Sequence, residues 1–164
     1  MWIIFNLVAC KSYQDLPTVN QVNLKKYMGK WYEIARLPNR FEKDMECVTA
    51  QYRLKKNGKI EVVNQGVTSK GKIKRAKGTA WVPCKEKPGR LKVSFFWPFA
   101  GDYYIIDLGE HYEYALVGNP SRKYLWILAR GKTIKKELYT NLLKKAELLG
   151  FDSSKMLKIS QKCD

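Results

Sequence analysis

"GKWYEIARLPNRFEK", Gly29 to Lys43, places a glycine two residues before a tryptophan and then alternates as a strand does. Successive side chains of an extended chain point to opposite sides, so Trp31, Glu33, Ala35 and Leu37 are expected on one face. A tryptophan near the start of a strand either plugs a core or stacks on a ligand. Which of the two applies depends on how many strands follow and how they close.

Seven more strands are readable. "VTAQYRL" (48–54) leads into Asn57-Gly58, a strong hairpin signal, and "KIEVVNQG" (59–66) returns. "GKIKRAKGTAWV" (71–82) follows, with Gly78 expected to mark a bend or bulge. "RLKVSFF" (90–96), "YYIIDLG" (103–109), "EYALVG" (113–118) and "YLWILAR" (124–130) complete the set. Eight alternating strands joined by short loops, with no helix between them, predict an all-β chain. The expected architecture is an eight-stranded antiparallel up-and-down barrel, whose closure removes sheet edges. One helix follows, with Thr133 as the expected N-cap and Gly150 at its C-terminal end. Leu138, Leu142, Ala146 and Leu149 form a stripe expected to pack on the outside of the barrel.

Length and composition agree with one globular domain: 164 residues, 45% of them hydrophobic. The formal net charge of +16 attracts polyanions of any kind, whether nucleic acid, acidic ligand or anionic membrane. The N-terminal "MWIIFNLVAC" is too short an apolar run to cross a bilayer. It reads either as the end of a secretory signal or as an ordinary apolar arm. Leu7-Val8-Ala9-Cys10 has the form of a bacterial lipobox, in which Cys10 would be acylated and become the mature N-terminus. On that reading residues 1–22 are signal remnant and tether, and residues 23–164 are the folded domain.

Several function classes find little support. His111 has no ligand partners at metal spacing, so no metal site is expected. No cofactor is expected, and nucleophile-elbow, P-loop and dinucleotide fingerprints are absent, so no enzyme is expected. Glu33 is the one carboxylate to watch for a displaced pKa. The alternative is a satisfied residue at the barrel base, bonded to tyrosine or arginine. A nucleic-acid-binding barrel would need aromatics among the lysines on the outer face of its second and third strands. "RLKKNGKIEVVNQ" offers charge there and no stacking platform, so no nucleic-acid partner is expected.

"NLKKYMGKWYEIAR", "LKVSFFWPF" and "KYLWILARGKTI", with the strand count and the late helix, resemble the lipocalins. Within that family the chain is most similar to the bacterial outer-membrane lipoproteins and to their animal relative apolipoprotein D, from about Asn23 to the C-terminus. The resemblance implies that Gly29, Trp31 and Arg130 form the closed base, with the guanidinium over the indole, worth roughly 0.5–2 kcal/mol. It implies a cavity lined by Tyr52, Phe95, Tyr103 and Trp126, and a disulfide between Cys47 and Cys163 that leaves Cys84 over. Strand alternation puts Arg36, Arg40, Phe41, Trp97 and Phe99 at the open mouth. That apolar lip suits ligand entry, membrane contact or a homodimer, or is simply self-packed. The implied ligand is a fatty acid such as palmitate, or a lysophospholipid. The implied location is the outer membrane of a bacterial envelope, facing the periplasm, with membrane attachment through the lipid anchor. The runner-up readings are a basic nucleic-acid-binding barrel and a lipocalin-fold enzyme acting on a lipophilic substrate.

Overall fold

A computed structural model describes residues 16–163, so the acylation expected at Cys10 lies outside the described residues. A short helix α1 (Leu24–Tyr27), capped by the Asn23 side chain, leads into eight antiparallel strands. These are β1 (Gly29–Arg36), β2 (Met45–Leu54), β3 (Ile60–Thr68), β4 (Ile73–Trp81), β5 (Arg90–Phe96), β6 (Phe99–Leu108), β7 (Tyr114–Gly118) and β8 (Leu125–Ala129). Each pairs with the next, and β1 pairs with both β2 and β8, which closes the barrel. The loops after β1, β3, β5 and β7 therefore share the mouth, and those after β2, β4, β6 and β8 share the base.

Alternation along these strands sorts the apolar residues into two clusters. Trp31, Ala50, Tyr52, Val62, Leu91, Ile105, Val117 and Leu128 fill the barrel interior. Ala35, Tyr104, Ile106, Leu116 and Ile127 face outward, where Leu142 and Ala146 of α2 (Lys136–Leu148) cover them. α2 ends as its sequence predicts. Gly150 takes φ +89°, its N–H bonds Glu147 O, and the Phe151 N–H bonds Ala146 O, a Schellman closure. Its start differs, because Thr133 caps nothing. Ile134 is drawn into the outer cluster, and Lys135 is the residue before the first turn, with no side-chain cap.

A β-bulge corrects the alternation at the decisive stretch. Glu33 pairs with Leu128, but Ala35 pairs with Ile127, so Ile34 is an extra residue on β1. Trp31 and Glu33 point inward. Past the bulge Ala35 and Leu37 turn to the outer cluster, and Arg36, opposite Trp126, turns in. Gly78, by contrast, sits in unshifted pairing with Val62 and marks no bulge between β3 and β4. Its missing side chain makes room for Phe95, whose Cδ1 would lie 2.8 Å from a Cβ there.

The C-terminal tail fills the space that the bulge opens between β1 and β2. β9 (Leu157–Lys158) pairs with Ala35 and Arg36, the Ile159 N–H bonds Ile34 O, and the Cys47 N–H bonds Ser160 O. Gln161 is buried and donates to Glu33 O at 2.8 Å and to Val48 O at 2.9 Å. Cys163 is disulfide-bonded to Cys47, 116 residues away. Cys84, expected to be left over, is not a free thiol. At the other end of the chain, residues 16–22 lie against the barrel. Leu16 is fully buried in the outer cluster, and the Val19 N–H bonds Ile105 O.

Candidate functional site

The barrel interior runs from a sealed floor to a latched rim. At the floor the Arg130 guanidinium lies 3.9 Å from the Trp31 ring centroid. Its Nη2 donates to Lys26 O and Met28 O, both at 2.8 Å, and its Nη1 donates to Lys30 O at 2.9 Å. Gly29 is required here twice over, since its φ is +95° and a Cβ would stand 3.3 Å from Arg130 Nη1. The Trp31 Nε1–H donates to Tyr27 O. Trp31 is a plug.

Three tyrosines lie above the plug. The hydroxyls of Tyr27 and Tyr52 meet that of Tyr103 at 2.7 and 2.9 Å. Burial pushes all three phenols up from their ordinary pKa, and their closeness to one another adds to the shift of Tyr103. Tyr52 and Tyr103 thus satisfy their polar ends on each other and form the lower lining. Above them Asn64, which alternation from Ile60 and Val62 turns inward, lies between Ala50 and Ala76. Its Oδ1 is buried and has no hydrogen-bond partner among the described residues.

The rim brings Arg36 together with two glutamates that the sequence did not place there. Arg36 is 3% exposed and bonds Glu33 Oε1 through Nη1 at 2.6 Å. Its Nη2 reaches Met45 O at 3.1 Å and Glu42 O. Arg36 is therefore a paired, internal residue, and the free rim cation expected there is absent because the bulge turned it in. The Glu42 carboxylate accepts from Trp126 Nε1 at 2.9 Å and from Asn39 Nδ2 at 2.8 Å. These bonds fasten the 37–44 loop over the mouth. Burial, with Glu42 nearby, raises the pKa of Glu33 well above the carboxylate range, against the pull of Arg36. Trp126 stacks on Tyr124, centroids 5.9 Å apart.

The remaining expected residues separate from the interior. Phe95 is not part of the inner cluster. It packs on Gly78, about one third exposed, and lines an open groove of about 340 Å³ with Lys77, Thr79, Trp81 and Trp97. Arg40, Phe41, Trp97 and Phe99 are exposed at the mouth, with Arg40 over the Phe41 ring. Glu42, Asn39, Asn64 and Tyr27 were missed by sequence reasoning. Asn39-x-x-Glu42 carried a readable local signal, because Asn39 Oδ1 accepts from the Glu42 N–H as a capping residue does. Asn64 carried none. No His, Cys, Asp and Glu cluster fit for a metal occurs among the described residues, and none of their helices is long and apolar enough to span a membrane.

A closed eight-stranded antiparallel barrel with a plugged base and a helix on its outside is the architecture of a small binding barrel. The chain matches the lipocalin-like domain over residues 22–161 and belongs to that family. It is 42% identical to outer membrane lipoprotein Blc of Escherichia coli (strain K12), over 96% of this chain and 91% of that protein. It is 36% identical to apolipoprotein D of Macaca fascicularis, over 81% of this chain and 72% of that protein. Among solved structures, insecticyanin of the tobacco hornworm Manduca sexta superposes with a TM-score of 0.71 at 26% identity, covering 87% of this chain and 82% of that one. Family membership places the chain among binding and transport proteins rather than enzymes.

Proposed function

We propose that the barrel takes up a single-chain lipid, tail toward the tyrosine floor and head at the latched rim. We further propose that the chain works in a bacterial envelope, at the outer membrane. The relationship to the E. coli outer membrane lipoprotein supports the location. The observation that carries the ligand reading is the unpartnered Asn64 carbonyl, turned inward between Ala50 and Ala76. A buried acceptor left unpaired costs about 1–3 kcal/mol, which a ligand donor placed there would recover. The glycerol hydroxyl of a lysophospholipid supplies such a donor, and an ionised fatty acid does not. Within these two ligand types the interior therefore favours the lysophospholipid. Arg36 gives an anionic head little, because its guanidinium is already held by Glu33 Oε1 and by the carbonyls of Glu42 and Met45.

The test is a titration of Trp126 fluorescence with lysophospholipids and fatty acids of rising chain length. Affinity should climb about fourfold per methylene until the cavity is full. Asn64→Val should stabilise the empty protein by about 1 kcal/mol yet weaken lysophospholipid binding while sparing fatty acids. If neither lipid type perturbs tryptophan emission nor displaces a fluorescent lipid at micromolar concentration, the carrier reading fails.

A further inference from the structure

Four large apolar side chains stand in water at one side of the mouth. Phe96, Trp97 and Phe99, on the tip between β5 and β6, are 80, 83 and 77% exposed, and Ile73 at the start of β4 is 63% exposed. Beside them, the hairpin between β3 and β4 carries Lys70, Lys72 and Lys74, all exposed and in no ion pair among the described residues. Asp102, the acid nearest in sequence to the tip, is held by Lys92 at 2.6 Å.

The wall is also incomplete there. β4 pairs with β5 through Thr79, Ala80 and Trp81, while Ile73–Gly78 pairs with β3 alone. The mouth half of β4 is therefore an open sheet edge. Lysines along an edge blunt unwanted strand pairing, which accounts for the cations by themselves. It does not account for three exposed aromatics on the facing hairpin. A second copy of this chain would cover the aromatics, but it would bring two lysine clusters together on molecules of formal charge +16.

We propose that this face, aromatic tip first, docks the barrel onto an anionic phospholipid surface, independently of any covalent anchor and of what the barrel carries. Aromatics enter the headgroup boundary, the lysines meet anionic headgroups, and the edge of β4 faces the lipid. Each cation near such a surface strengthens binding about fivefold.

The test uses the full-length chain, produced without acylation, in flotation with vesicles of phosphatidylcholine alone or with added phosphatidylglycerol. The chain should float with the anionic vesicles, and brominated acyl chains should quench its tryptophan emission. Lys70→Glu with Lys72→Glu and Lys74→Glu should cut binding at least about tenfold. Trp97→Ser with Phe99→Ser should do likewise and lose the quenching, with the circular dichroism of both variants unchanged. These side chains are exposed, so folding is not at stake. Equal binding to neutral vesicles, wild-type flotation of both variants, or a dimer that shields Trp97 and ignores vesicles would each overturn the proposal.

Discussion

Ile34 shows how much one residue decides. It is the extra residue of the β1 bulge, and it sends Arg36 into the barrel beside Glu33. Glu33 was legible as a carboxylate worth watching, because its parity with Trp31 could be counted along the sequence. Its partner was not, because alternation counts forward blindly and a bulge leaves no composition signal. The raised pKa of Glu33 has a definite sign in stability. In the unfolded chain it releases its proton near pH 4.5. The folded protein holds that proton to higher pH, so this residue's contribution is fully present below about 4.5. It is lost as pH rises from there through the folded pKa. Denaturant midpoints measured across that range should fall more steeply for the wild type than for Glu33→Gln. Equal slopes would show that Glu33 is already ionised in the fold. Arg130 belongs to the same scale, with its role readable from the resemblance and its cost readable from geometry. Arg130→Ala strips donors from five backbone carbonyls and should cost about 2–4 kcal/mol by denaturant titration. Lipid affinity of the folded variant should stay unchanged, since the plug lies beneath the tyrosine floor.

Among elements, all eight strands and α2 were legible, because each buries one face and each turn carries its own chemistry. Asn57-Gly58 illustrates this, with Gly58 at φ +80° and its N–H bonded to Lys55 O. The tail was not legible as an element. Leu157–Lys158 is too short for a period, and its hydrogen-bond partners lie over a hundred residues away. Its worth can be measured through Gln161, which satisfies the two strands that it wedges apart. Gln161→Leu keeps the volume, leaves Glu33 O and Val48 O unpaired, and should cost about 1–3 kcal/mol. A change below a few tenths of that would mean water replaces the amide there.

For the whole molecule, barrel closure followed from counting strands, while the place where closure is incomplete did not. Phe95 was expected inside from the family resemblance, a placement that needs the parity of Leu91 and Val93 to run straight on. A register shift between Val93 and Phe96 breaks that count. Closure is also braced by the Cys47–Cys163 bond, whose 116-residue loop corresponds to about 4–5 kcal/mol of chain entropy. The double variant Cys47→Ser with Cys163→Ser should lose up to that amount, read from the thermal midpoint at equal ionic strength. A loss near zero would show that Gln161 and β9 already hold the tail.

The wedge formed by residues 157–161 also sets an order of events during synthesis. β1 leaves the ribosome before every other strand, yet the mouth half of its seam with β2 is filled by residues made more than a hundred positions later. A nascent chain that has not reached residue 157 therefore carries an open seam, with Ile34 O, Glu33 O and Val48 O still seeking donors. The barrel is finished only when residues 157–161 come back to the first two strands.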